Sequence, residues 1–233
     1  MVSAHPFWTI FFILTLIGLF SLAGKSPSTS SDSSDTTSAS GNANQEAIVL
    51  EPDPIELSGT DQEATQKFNL ENGLSVFEMT YSGTSNFAVW LLDINGEKLE
   101  LLVNMVGIFD GSKAVGITTK GEYLLDISAS GSWTVRIEQP RPASAASKPQ
   151  AFTGIGQAVS EFINLDKGLA TFKMTHSGDS NFAVWLLDKY GDKQELLVNE
   201  VGKFDGSKAV GVSKSGFYIL DISADGEWGI TVE

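Results

Sequence analysis

The chain repeats itself, and that constrains its fold more than any other feature. Residues 69–138 align with residues 164–233 at a constant offset of 95 without a gap, and 45 of those 70 positions are identical. NFAVWLLD stands at 86–93 and again at 181–188, ELLVN at 100–104 and 195–199, FDGSKAVG at 109–116 and 204–211, and LDISA at 125–129 and 220–224. Duplication this close means that both halves adopt one fold, and that the fold is small. With a leading strand included, the copies are expected at 54–138 and 152–233. Between them, 139–151 is rich in Pro, Ala and Ser and reads as a domain linker. About 12 extended residues would span roughly 40 Å.

Each copy reads as strands. From Leu74 to Tyr81, Val76, Glu78 and Thr80 share one face and Phe77, Met79 and Tyr81 the other. Residues 87–92 form a continuous apolar run of strand length, and Asn95-Gly96 closes a turn after it. Strands are expected at 99–106 and 113–118, separated by a turn at Asp110-Gly111. Residues 122–129 alternate through Tyr123, Leu125 and Ile127, and Gly131 turns the chain into Trp133, Val135 and Ile137. That makes about seven short strands per copy and no convincing helical period. The expectation is an all-β chain: two tandem, homologous, antiparallel β-sandwiches of jelly-roll type behind an N-terminal apolar helix.

The N-terminus places the chain outside the cytosol. Residues 7–23 carry no charge, and Ser21 and Ala23 are spaced as a signal-peptidase site requires. Residues 1–24 therefore read as a cleaved signal peptide or a retained membrane anchor, contacting membrane only through 7–23 if uncleaved. No Lys or Arg precedes the run, so flanking charge gives no orientation. Lys25 stands where a lipidated Cys would have to be, which excludes that form of anchoring. Residues 25–53, dominated at first by Ser, Thr, Asp and Asn, read as a disordered tether. The chain has no cysteine, which removes disulfides and thiol chemistry, and a net charge of −14, which disfavours nucleic acid and anionic membrane surfaces.

The order F-x-V-W-L-L-D-x-x-G, strand, G-x-Y-x-L-D-I, strand resembles the bacterial pre-peptidase C-terminal domain. The matching stretches are 87–96 with 121–127, and 182–191 with 216–222. The resemblance implies a small exported sandwich with a binding, targeting or solubilising role and no catalysis. The family's first motif carries more acidic residues, where this chain has Phe87 and Val89, which weighs against a family calcium site.

Candidate sites are few. Trp90, Trp133, Trp185 and Trp228 could stack on sugar rings or pack in the core. Asp93, Asn95 and Asp110, with Asp188, Asp192 and Asp205, could supply calcium with oxygen ligands, the only cofactor the sequence admits, or could serve turn geometry. His176 is the sole imidazole after the apolar segment and aligns with Tyr81, so it reads as a packing residue rather than a catalytic base. A glycosidase carboxylate pair and a phosphate loop at GSKAVG are poorer readings still. Ile94, Leu99, Met105 and Ile108 align with Lys189, Gln194, Glu200 and Lys203, so the first copy is expected to show apolar side chains where the second faces water. Such a patch would dock a protein. Together these features predict a non-enzymatic, extracytoplasmic binding protein of the cell envelope whose partner is a glycan or an envelope protein.

Overall fold

A computed structural model describes residues 50–233. The expected signal or anchor at 1–24, and the tether as far as residue 49, lie outside the described residues. Within them the regular structure consists of β-strands, and no helix is long and apolar enough to cross a membrane.

The first repeat runs β1 (Ile55–Thr60), β2 (Glu63–Ala64), β3 (Phe68–Leu70), β4 (Gly73–Tyr81), β5 (Asn86–Asp93), β6 (Lys98–Val106), β7 (Phe109–Ile117), β8 (Gly121–Ser128) and β9 (Ser132–Glu138). After β10 (Ala146–Ser147) the second repeat follows as β11 (Gln150–Ile155), β12 (Ala158–Val159), β13 (Ile163–Leu165), β14 (Gly168–His176), β15 (Asn181–Asp188), β16 (Lys193–Val201), β17 (Phe204–Val212), β18 (Gly216–Ser223) and β19 (Glu227–Val232). Every strand of the second repeat begins 95 residues after its counterpart.

Each repeat is two sheets. In the first, β1-β9-β4-β7 form a front sheet and β8-β5-β6, with β2 and β3 both on β8, form a back sheet. The second repeats this as β11-β19-β14-β17 and β18-β15-β16 with β12 and β13 on β18. All these pairings are antiparallel, and consecutive long strands cross repeatedly between the sheets in jelly-roll order. Phe77, Met79 and Tyr81 meet Phe87, Val89 and Leu91 between the sheets, all fully buried. Phe172, Met174 and Phe182 do the same in the second repeat. Each such side chain contributes about 2–3 kcal/mol by leaving water.

Three boundaries differ from the sequence expectation. The leading strand is divided into β1, β2 and β3, because residues 55–70 mix polar and apolar groups too irregularly for one strand. Asp110-Gly111 is not a turn: both lie within β7, opposite Thr80 and Met79, and the reversal falls at Gly107, whose φ of +98° suits glycine. Gly111 is needed for a different reason. A Cβ there would sit 2.8 Å from the Phe109 ring and 2.5 Å from the Gln157 carbonyl oxygen. Finally, the expected linker 139–151 is partly structured. β10 pairs parallel with β13, and Gln150 and Ala151 already belong to β11.

The two sandwiches pack on each other through unlike faces. The outer surface of the first repeat's front sheet, at β4 and β7, presents Leu74, Val76 and Ala114. The outer surface of the second repeat's back sheet presents Trp185, Leu187 and Ile219, and these residues form a separate apolar cluster. Lys113 Nζ donates to Asp221 Oδ2 at 2.5 Å and the Ala114 amide donates to Asp221 Oδ1 at 3.1 Å. Gln157 Nε2 donates to the carbonyls of Leu102 and Ser112 at 2.9 and 3.1 Å, and the Val159 amide donates to Ser112 Oγ at 2.8 Å. Gly116 and Gly191 allow the closest approach: a Cβ on Gly116 would stand 2.8 Å from the Gly191 carbonyl oxygen.

Candidate functional site

Beside this junction lies an open cleft of about 920 Å³. One wall is the solvent face of the first repeat's front sheet, where alternation along β1, β4, β7 and β9 projects Glu56, Glu78, Thr80, Asp110, Thr134 and Arg136 outward. The other wall is built by β11 and the segment running into β12. Arg136 is the hub. Its Nε and Nη2 donate to Glu138 Oε1 at 3.0 and 2.7 Å, its Nη1 donates to Glu56, and Glu78 Oε2 lies 3.8 Å from its Nε. Thr80 and Thr134, paired across the strands, share a hydrogen bond of 2.6 Å between their hydroxyls. Burial, reinforced by the nearby Glu138 carboxylate, raises the pKa of Glu78 above the ordinary glutamate value despite the guanidinium. The cleft thus offers an excess of carboxylate acceptors, the paired hydroxyls of Thr80 and Thr134, and one fixed guanidinium.

The charged hub belongs to the first repeat alone, whereas Thr80 and Asp110 recur as Thr175 and Asp205. Glu56, Glu78 and Arg136 align with Ala151, Lys173 and Thr231. Sequence reasoning passed over them because exposed charges on a strand read as an ordinary solvated face. The divergence between copies was the available signal.

The expected site residues are scattered. Trp133 is 2% exposed and lies inside the first sandwich, its indole N–H donating to the Asp61 carbonyl at 3.1 Å. Its ring covers Gly59 and leaves no room there for a Cβ. Trp228 is likewise buried, over Gly154, and donates to the Gly156 carbonyl at 2.9 Å. Neither has a ring face open enough for a sugar, because each closes the core beneath the strand paired with its own. Trp90 and Trp185 point outward and are half-buried, with Lys98 Nζ 4.7 Å and Lys193 Nζ 5.1 Å from their ring centres. Trp185 is drawn into the junction between repeats, which leaves Trp90 as the accessible indole of the four.

The acidic residues proposed as calcium ligands are not gathered into one place. Asp93 Oδ1 accepts the amides of Asn95 and Glu97 at 2.9 and 2.8 Å, and its Oδ2 accepts Asn95 Nδ2 at 3.1 Å. Those hydrogen bonds, led by the Glu97 amide, lower its pKa. Asp188 does the same work for the amides of Tyr190 and Asp192 and for Gln194 Nε2. Asp110 and Asp205 lie on β7 and β17, away from these turns. Among the described residues no three His, Cys, Asp or Glu side chains are placed to share a metal.

The four apolar positions also separate. Ile94 and Leu99 are exposed at one end of the β5–β6 hairpin, while Ile108 lies past the other end of β6, about 30 Å along the chain from Leu99. Met105 is half-buried and packs against the core. They do not make a single patch. At the Ile108 end, 75% exposed, Val106 joins it at 70%.

His176 is a core residue. Its ring stacks on Phe182 at 4.6 Å, as Tyr81 stacks on Phe87 at 4.6 Å. Nδ1 is 2.9 Å from the Gly202 carbonyl, and Nε2 lies 3.2 Å from Asp225 Oδ1 without hydrogen-bond alignment. Asp225 aligns with Ser130, whose Oγ is 3.2 Å from the Tyr81 hydroxyl. The pairs are therefore Tyr–Ser in one repeat and His–Asp in the other. Exchanging His176→Tyr alone should lower stability by about 1–2 kcal/mol, and adding Asp225→Ser should restore at least half of it. Denaturant unfolding of the two variants checks this, and additive losses would contradict it.

No family model matches the chain, and no curated protein matches it. Solved structures similar to it include the PBSX exported protein XepA, at 11% identity over 79% of this chain and 86% of that one with a TM-score of 0.25. Others are the M60 catalytic domain with the CBM51-1 and CBM51-2 domains of Clostridium perfringens ZmpB, at 9% identity over 76% of this chain and 34% of that one with a TM-score of 0.29. The tandem CBM22-1-CBM22-2 domain of Paenibacillus barcinonensis Xyn10C stands at 8% identity over 76% and 86%, with a TM-score of 0.25. Likenesses of this size leave the function to be derived from the chain's own residues.

Proposed function

We propose that this chain is an exported, non-enzymatic binding protein of the cell envelope, and that it takes a hydroxyl-rich glycan in the cleft between its two sandwiches. The observation that carries this is the cluster of Glu56, Glu78, Thr80, Thr134 and Arg136 on one open sheet face. Carboxylates accept hydrogen bonds from sugar hydroxyls, the guanidinium donates to ring or hydroxyl oxygens, and the threonines do both. The groups are tied to one another, an arrangement for holding a neutral polar ligand rather than for transferring a proton. Export rests on the uncharged run at 7–23 and the Ser/Thr-rich stretch behind it. The resemblance to the pre-peptidase C-terminal domain fits an accessory module of this kind.

A glycan array probed with the full chain, followed by calorimetry with the best glycan, tests the reading. Glu78→Gln and Arg136→Ala should each weaken binding at least tenfold, since a hydrogen bond to a charged group is worth about 1.5–3 kcal/mol. Retained affinity in both variants, or loss only in Trp90→Ala, would move the site out of the cleft. The second reading, an accessory protein contacting another protein through the first repeat, is favoured by the exposed Val106 and Ile108. It predicts no glycan binding and a pull-down partner lost on Ile108→Lys.

A further inference from the structure

We infer that the chain assembles head-to-tail with further copies of itself, using at its two free faces the same contact that joins its own repeats.

The contact between the repeats is heterologous: a front sheet of one meets a back sheet of the other. Each repeat, being a copy, carries both kinds of face, so one of each stays unused. The second repeat's front face holds Leu169, Ser207, Lys208, Ala209 and Gly211, identical to Leu74, Ser112, Lys113, Ala114 and Gly116 at the junction. The first repeat's back face holds Trp90, Leu92, Gly96 and Asp126, identical to Trp185, Leu187, Gly191 and Asp221. Leu74 is 0% exposed in the junction, whereas Leu169 is 66% exposed. Leu169 thus stands in water at the position its counterpart buries in the junction.

The centre of the contact is kept in both copies, while its margin has drifted: Val76 aligns with Thr171 and Phe162 with Lys67. The exposed positions 94, 99 and 108 have exchanged apolar for polar or charged residues between copies. In the segment 55–68 only two of 14 positions match their counterparts, Gly59 with Gly154 and Gln62 with Gln157. The glycine is explained inside each repeat by the tryptophan ring above it. The glutamine is not. Gln157 is used only across the junction, where it bonds two carbonyls of the first repeat, while Gln62 is exposed. In the next copy the carbonyls of Leu197 and Ser207 would receive it.

Charge is complementary as well. Lys113 reaches Asp221 in the junction, and the free faces carry Lys208 and Asp126. In the single chain Lys208 Nζ lies 2.5 Å from Glu195 and donates to the Leu196 carbonyl at 2.7 Å, and Asp126 faces Lys98 at 3.7 Å; docking would exchange these for the junction's pair.

Gly211 separates this proposal from a folding effect. A Cβ there has nothing within 4 Å in the single chain, but the equivalent Gly116 touches the Gly191 backbone across the junction. Gly211→Val should therefore leave the melting temperature unchanged and block the next copy. Sedimentation velocity of the full chain should show concentration-dependent association that Gly211→Val and Asp126→Lys each weaken at least tenfold. A monomer at every concentration overturns the proposal. So does association that survives both substitutions, which is what self-association through the N-terminal apolar segment would give.

Discussion

Replacing Asp221 with alanine will lower the unfolding free energy by about 3 kcal/mol, while the same change at Asp126, its identical counterpart, will cost under about 0.5 kcal/mol. Asp221 has a side chain 1% exposed and holds Lys113 and the Ala114 amide. Removing it strands a lysine whose side chain is 12% exposed and orphans a buried backbone donor. Asp126 is solvated, and its lysine lies 3.7 Å away on the surface. Urea denaturation of both variants decides the matter, and equal midpoints would mean that the junction contributes no stability. A control follows from the chemistry of buried pairs. Lys113→Met with Asp221→Leu removes both charges at once and should recover most of the loss.

The second large effect concerns the tryptophans. Trp133→Ala should destabilise the first repeat by about 4 kcal/mol, because it empties the space above Gly59 and removes the hydrogen bond to Asp61. Trp90→Ala should cost no more than about 1 kcal/mol, mainly the loss of packing beneath Lys98. Thermal unfolding of the two variants gives the comparison. It also bears on ligand binding: a deficit in Trp133→Ala would report a damaged sandwich, whereas one in Trp90→Ala would report a lost contact.

The sandwich was legible because β4, β8 and β9 alternate cleanly and because the duplication halves the problem. Tyr81 and His176 could be recognised as packing residues from their alignment alone. The leading segment was not legible, since β2 is two residues long and owes its place to β8 rather than to its own sequence. Asp110-Gly111 misled because the pair is a strong turn signal, yet Gly111 serves the Phe109 ring and the neighbouring repeat. The cleft escaped notice for a similar reason. Glu56, Glu78 and Arg136 are distant in sequence, and only the pairing of β1, β9 and β4 sets them side by side. Nor did any apolar period distinguish Leu74, which is covered, from Leu169, which is not; that difference is created by the partner and is absent from the strand.

The junction changes what duplication can do for this molecule. Tandem modules on a loose string gain avidity by searching, and tolerate epitopes at many separations. Here the connecting segment adds β10 to the second sandwich, and the modules lean on each other through Leu74, Ala114, Leu187 and Ile219. Such a pair cannot search: the front sheet of the first repeat is held at one fixed setting against β11 and β12 of the second, so the opening between them has a set width.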